Sequence, residues 1–462
     1  MSQEFLVKLA LMAGAAALAF LTTMSQTVAL AVAGWVVIGA AAVRRLSSVP
    51  MAALVVVLAL IPMDYLTKLD GGSLTLTKLI FPAALGAVGL KRVLSAQPLV
   101  WSPQASLVLG FGITATISFL VNVKSSFAVT AMTGYAGVLP LFFFVLNVVE
   151  KEGQVRVLLV AVVVSCLLSA LAGIVGLLLG RLPAGIVALM LPHAMRLIGL
   201  SSVNPNTFGS YVLTALLITA YFVAVERRRW VQVALMPVLL LLGVAIVLTR
   251  SRAVSFVAVA SALLLMIRLR RRVAFWKTGT VAAIGFLLLF WIAPADYFER
   301  LRSLIVDPEM DRPFLARKSF NDLALTLWAT HPVLGVGPGN FSEHFNNPDF
   351  RFVVDTFGPW KMIHSLFLGV ACHMGTVGLL LLAGIVWRAF ADLNAVLHSY
   401  ADGEDGFLRR AAEAVEVALF SFLLNAAFLP AERDKYLWIL FGLCAAMARI
   451  RSTQLAALRE AG

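Results

Sequence analysis

Four short stretches carry most of the polar chemistry of an otherwise apolar chain. "LTRSRAVSF" (248–256) sets Arg250 and Arg252 two residues apart. A guanidinium offers a fork of N–H donors that matches phosphate oxygens, so an arginine facing a pocket suits a diphosphate. The other reading, which fits Arg250 best, is snorkelling: the stem lies along apolar surface and the head reaches the lipid headgroups. "RLIGLSSVNPNTFGSY" (196–211) places Arg196 outside any basic cluster. There Asn206 or Thr207 can cap the next helix, with Pro205 fixing the entry turn.

"WKMIHSLFLGVACHMGTVGLLLL" (360–382) holds two histidines. His364 is expected in the first turn of a helix, where the positive N-terminus disfavours imidazolium and leaves a neutral ring that can accept a proton. Anchoring at the membrane interface would also account for it. His373 lies nine residues further on. That is about 900° round the helix and about 13 Å deeper, so the two rings cannot form one site. His373 reads as a packed, hydrogen-bonded helix residue. In "HPVLGVGPGNFSEHF" (331–345) the apolar pattern gives way to Gly, Pro, Asn and His. The glycines permit a tight turn with positive φ, which by itself is weak evidence for phosphate binding. His331, Glu343 and His344 show neither HExxH spacing nor cysteine partners, so no metal is expected. No Walker loop or dinucleotide fingerprint occurs, and no cofactor is expected.

These residues must be positioned by elements made for lipid. Hydrophobic residues make up 61% and charged residues 13% of the 462. A soluble domain carries about twice that charge. The net charge of +13 comes from short basic clusters between apolar runs. That pattern anchors membrane segments and does not form a nucleic-acid groove. Cys166, Cys372 and Cys444 fall within apolar runs without a CxxC pair and read as small buried hydrophobes. At the N-terminus Glu4 offsets Lys8, so the first apolar run reads as a spanning helix, not a cleaved signal.

The fold class is therefore an all-α polytopic membrane protein with about 12–14 transmembrane helices. Runs of spanning length start near Phe5, Thr27, Pro50, Leu74, Ser102, Phe127, Val157, Thr207, Val231, Ala253, Thr280, Ile363, Ala411 and Tyr436. Residues 1–462 form one membrane domain, in which 296–362 is a large loop on the outer face. If every run spans, Arg44–Arg45, Lys91–Arg92, Arg227 to Arg229, Arg268 with Arg270 to Arg272, and Arg409–Arg410 share the cytoplasmic side. Arg196, Arg250, Arg252 and the long loop then face outward, together with Arg312, Arg317, Lys318 and Arg351 of that loop. Phe320, Leu323 and Leu327 fit one helical stripe, so an amphipathic helix is expected there, lying on the outer surface or over a cavity.

Taken in order, the Arg-then-Asn-Pro-Asn segment, "TRSRA", "HPVLGVGPGNF", "HSLFLGVACHMGTVGL" and "ERDKYLW" resemble the O-antigen ligase and polymerase family of bacterial envelope enzymes. The resemblance runs from about Arg196 to Trp438. It implies a metal-independent glycosyltransferase in the bacterial inner membrane. The donor would be a glycan on a polyprenyl diphosphate, presented at the periplasmic face. The acceptor would be a glycan or lipid A core, and the surroundings membrane lipids. The family's essential histidine falls on His364 and its arginines on Arg196 and Arg252, while Asn206 and Arg317 join them as candidate substrate contacts. Two positions depart from the family pattern: Ala253 stands where Gly is frequent, and Ser365 where Asn is frequent. The resemblance also implies that the Gly-Pro stretch closes over donor and acceptor. The sequence does not separate ligase from polymerase. A protein O-oligosaccharyltransferase, or from another class a flippase for lipid-linked glycan, are the alternatives. Transporters, however, place functional charges near the midplane, often in two matched halves, whereas here the charges gather at one face.

Overall fold

The computed structural model describes residues 49–62, 85–86, 88, 98–123, 125–179, 196–200, 204–270, 312–346, 362–401 and 405–461. Regular structure among them is helical throughout. The helices are α1 (Val49–Leu60), α2 (Pro103–Val121), α3 (Ser126–Val148), α4 (Glu152–Leu179), α5 (Pro205–Val225) and α6 (Arg229–Leu248). They continue with α7 (Arg252–Leu269), α8 (Arg312–Thr330), α9 (Phe341–Asn346), α10 (Leu366–His398), α11 (Phe407–Ala426) and α12 (Lys435–Ala461).

Seven of these, α2 to α7 and α10, are long and apolar enough to cross a membrane. The fold is that of an all-α, polytopic membrane protein. Each expected run within the described residues coincides with a helix. α1, α11 and α12 fall where spans are expected, but α1 is short and the other two carry more charge. The runs near Phe5, Thr27, Leu74 and Thr280, with Arg44–Arg45, Lys91–Arg92 and Arg351, lie outside the described residues.

α10 packs against α2 and α12, α12 against α3, and α11 against α5, α7 and α10. Large aromatics fill the centre: Trp438 stacks obliquely on Phe111 (5.5 Å between rings), and Tyr135, Phe142 and Phe441 are fully buried beside them. The helices give the bundle two chemically distinct ends. At one end Arg268 pairs with Glu416, Arg410 approaches Asp405 (3.7 Å), and Arg451 donates to the Ser399 hydroxyl and carbonyl (both 2.8 Å). Arg449 donates to the Val149 carbonyl there as well (2.6 Å). The expected basic clusters that are described thus gather at one end. The opposite end collects the C-termini of α2 and α6 and the N-termini of α5, α7, α10 and α12.

One helix at that opposite end is broken. α10 is interrupted at Gly375, whose φ of 65° and ψ of −164° are open only to glycine. A break inside a membrane helix frees backbone groups that lipid cannot satisfy. Here the stretch 332–337 supplies the partners, as a strap. The N–H groups of Val336 and Gly337 donate to the Cys372 and His373 carbonyls (2.9 and 3.0 Å), just before the break. After it, the Thr376 N–H donates to the Pro332 carbonyl (2.7 Å) and that of Val377 to Val333 (3.4 Å). Both halves of the helix are closed by one segment of loop.

The glycines are what let the strap lie that close. Gly335 has φ of 67°, and a Cβ there would stand 2.4 Å from the Cys372 carbonyl oxygen. At Gly339, with φ of 83°, it would stand 2.5 Å from the Phe127 carbonyl oxygen. Ser118 on α2 shares its hydroxyl proton between the carbonyls of Leu334 (2.6 Å) and His373 (2.8 Å). The Asn340 amide donates to the Val336 carbonyl (2.9 Å) and to that of Asn122. The Gly-Pro stretch from Gly335 to Pro338 is therefore a buried seat held by three helices.

Candidate functional site

Two clusters occupy the end of the bundle opposite the basic residues. The first forms where α6 turns into α7. Thr249 ends α6, Arg250 takes the left-handed conformation (φ 50°), and the Ser251 hydroxyl accepts from the Val254 N–H to cap α7. That reversal points the Thr249 carbonyl at Arg196, whose Nε donates to it (2.9 Å). The Leu197 N–H donates to the Leu248 carbonyl (2.8 Å) beside it. A cation is well placed at the negative end of a helix. Arg196 also donates through Nη2 to the Asn206 side-chain oxygen (2.9 Å). Arg252, the first residue of α7, follows directly in the same turn and is half-buried.

Asn206 was expected among the caps of α5, but Asn204 does that work: its side-chain oxygen accepts from the Asn206 N–H (2.9 Å), with Pro205 in the first turn. The signal was present, because proline prefers the first helical position and so points to the residue before it as the cap. Asn206 is thereby released to hold Arg196, and is itself buried.

The second cluster joins α8 to the start of α10. The expected stripe is real. Phe320, Leu323 and Leu327 are buried against Val336, Phe341, Phe345, Ile363 and Cys372. Val333, beyond the end of α8, is exposed. α8 thus lies on the strap and on α10, over the seat. His364 precedes α10, whose cap is Ser365, and so sits just outside the first turn where it was expected. Its ring stacks on Phe320 (6.3 Å between centroids, 28°). Arg317, one turn earlier on α8, lies on the Phe320 face.

The imidazole is held neutral, its pKa lowered from 6.5 to about 4. The larger cause is burial and the second is the Arg317 charge, so the helix terminus is not needed to explain it. His364 Nδ1 is buried without a hydrogen-bond partner.

His373 faces a different set of groups, as expected from its helical position. It was also expected to be hydrogen-bonded, and at Nδ1 it is not: the nearest carboxylate oxygen, on Glu432, is 3.8 Å away. Glu432 and Asp434 belong to "ERDKYLW", where no role was assigned to either. Asp434 accepts from the Tyr211 hydroxyl (2.7 Å) and from the Tyr436 N–H (2.9 Å), and burial raises its pKa to about 6. Their signal in the sequence was an acid–base–acid triplet at the mouth of an apolar run. Among the described residues no group of three or more metal-type ligands comes together.

At one end of the bundle, then, stand three arginines, a buried amide and a neutral histidine, in two clusters of which only the second adjoins the strap. No curated protein matches the chain. Residues 237–383 match the family model of O-antigen ligases. The match contains Arg252, Arg317, the strap, His364 and the broken part of α10, while Arg196, Asn206 and "ERDKYLW" lie to either side of it. O-antigen ligases are glycosyl-transfer enzymes acting on a lipid-linked glycan and an acceptor, and over these residues the chain is similar to them, which supports the O-antigen ligase superfamily.

Proposed function

We propose that the protein transfers a glycan from a polyprenyl diphosphate-linked donor to a hydroxyl of a second glycan or of lipid A core, without a metal, at the periplasmic face of the bacterial inner membrane. The observation that carries this is the neutral, half-buried His364 beside Arg317, at the same end of the bundle as Arg196 and Arg252. The acceptor oxygen attacks the anomeric carbon as the bond to the diphosphate oxygen breaks. The hydroxyl proton passes to His364, and the polyprenyl diphosphate leaves. Attack from the face opposite the leaving group inverts the anomeric configuration. Arg252 and Arg196, with Arg317, balance the charge that grows on the departing diphosphate, the largest expected contribution. Proton removal by His364 contributes about 10²- to 10⁴-fold. No nucleotide is consumed, because the diphosphate has already activated the sugar.

Asn206 fits a supporting role, since its amide oxygen fixes the Arg196 fork. The capping of α6 by Arg196 accounts for part of that residue's geometry and is compatible with diphosphate binding at its other donors.

One observation favours the transport alternative: α10 is a broken helix, a frequent feature of transporter binding sites. Against it, the backbone groups freed by the break described above are taken by the strap and do not line a passage.

Purified protein in proteoliposomes, given a polyprenyl diphosphate-linked glycan and acceptor in excess EDTA, tests the proposal. The expected result is glycan transfer with release of polyprenyl diphosphate. Translocation of intact donor across the bilayer without transfer would establish the flippase instead.

A further inference from the structure

A second polar cluster lies deeper than the candidate site and takes no part in the reaction proposed above. His373 (α10), Glu432 (the α11–α12 link) and Tyr135 (α3) come from three separate parts of the fold, and are 8%, 3% and 1% exposed. Each has a buried polar atom with no hydrogen-bond partner in the protein: Nδ1 of His373, Oε2 of Glu432 and the Tyr135 hydroxyl. Glu432 and Arg433 act electrostatically on both the tyrosine and the histidine, so these two groups face the same pair of charges.

The spacing excludes direct satisfaction. His373 Nδ1 and Glu432 Oε1 stand 3.8 Å apart, too far for a hydrogen bond. It is a spacing that a water molecule bridges from the side, with a hydrogen bond to each. Glu432 is held where it is by its own backbone, whose carbonyl accepts from the Trp438 indole (3.0 Å). Gly369 leaves space beside Oε2, since even an added Cβ would stand 3.6 Å from it. Arg433 stretches across Gly134, where a Cβ would meet its Cδ at 2.7 Å, and its Nε comes within 4.0 Å of Glu432 Oε1.

From this geometry we infer an internal water-binding site enclosed by His373, Glu432 and Tyr135. The guest must both donate and accept: the carboxylate oxygen accepts only, whereas the imidazole nitrogen and the phenol can each do either. A metal cation cannot accept the proton that the Tyr135 hydroxyl offers, and it is opposed by the Arg433 guanidinium. Water answers every orphaned atom and needs only two to four polar partners. Its structural consequence follows from the position of His373, two residues before the break at Gly375. The water ties the first half of α10 to the α11–α12 link.

X-ray radiolytic labelling of the full chain in nanodiscs, in H₂¹⁸O, reads the site directly, because hydroxyl radicals made at a bound water oxidise the side chains next to it. The expected result is ¹⁸O incorporation at Tyr135 several-fold above that at Phe142 and Phe144, which are equally buried but outside the cluster. Glu432→Gln retains an acceptor and should keep the labelling, whereas Glu432→Leu fills the space and should reduce it to the level of those phenylalanines. Should Glu432→Leu fail to fold, the wild-type comparison still decides. Tyr135 labelled no more than Phe142 would overturn the proposal, and so would a thermal stability that rises on replacing choline with sodium, which would make the guest a cation. Neither readout requires glycan transfer, so the inference stands or falls apart from the function proposed above.

Discussion

Arg317→Gln removes the charge beside His364 and keeps a hydrogen-bonding side chain of nearly the same reach. The structure fixes both the direction and the limit of the effect. Burial is the larger cause of the lowered His364 pKa and Arg317 the smaller, so the midpoint should rise above its value of about 4 and stay below 6.5. One pKa unit corresponds to about 1.4 kcal/mol, so the whole depression is worth on the order of 3 kcal/mol as an upper bound, since the ring retains some contact with solvent. Its sign is that of a group whose folded pKa lies below the unfolded one. Above pH 6.5 the ring is neutral in both states and contributes nothing to the pH dependence. As pH falls from 6.5 towards 4, the unfolded chain takes up a proton that the folded site refuses, and stability is lost. In Arg317→Gln that window narrows from its acid side. Histidine-selective NMR titration in nanodiscs, with His364→Asn to assign the signal among the six histidines, measures the midpoint. A wild-type midpoint near 6.5, or one that fails to rise in Arg317→Gln, would refute the placement of the cation against the ring.

Gly335→Ala should cost about 3 kcal/mol or more in thermal unfolding, because its Cβ meets the Cys372 carbonyl and its φ is 67°; Gly137→Ala, with nothing within 4 Å, should be neutral or slightly stabilising. Arg252→Lys keeps the charge but loses the planar fork, and should lower glycan transfer by about an order of magnitude or more, while Arg250→Lys is tolerated; equal tolerance at equal protein levels returns Arg252 to membrane anchoring. Cysteines at Glu343 and Ser452, both exposed, should label with an impermeant reagent from outside and only after permeabilisation, respectively. Reversed labelling would place the site on the wrong side of the membrane. Ser342 is unsuitable for that test because it is buried.

The helices were legible because a lipid-spanning segment has to be a long apolar run, and run length is written directly in the sequence. That Arg227 to Arg229, Arg268 and Arg409–Arg410 fall at one end of the bundle was legible for the same reason. His364 and Arg252 could be singled out because a cation or an imidazole at the mouth of an apolar run is costly without a purpose. The break at Gly375 could not be read: "CHMGTVGLLLL" has the composition of an unbroken helix. What breaks it is the strap, which offers backbone partners only once the chain has folded back from residues 332–337. Glu432 stayed without a role for a similar reason. Its partner His373 lies on another helix, and no local periodicity connects the two.

His364→Ala, followed by the length of the glycan left on its lipid carrier in cells, tests the central claim most directly. The variant should insert normally, bind donor and transfer nothing, because the base acts on the acceptor and not on the diphosphate, whereas His373→Ala should transfer measurably. Long polymerised chains on the carrier over bare lipid A core would identify a ligase, and single repeat units a polymerase; both are results the account predicts. Substantial transfer by His364→Ala, or donor trapped on the cytoplasmic face, would contradict it.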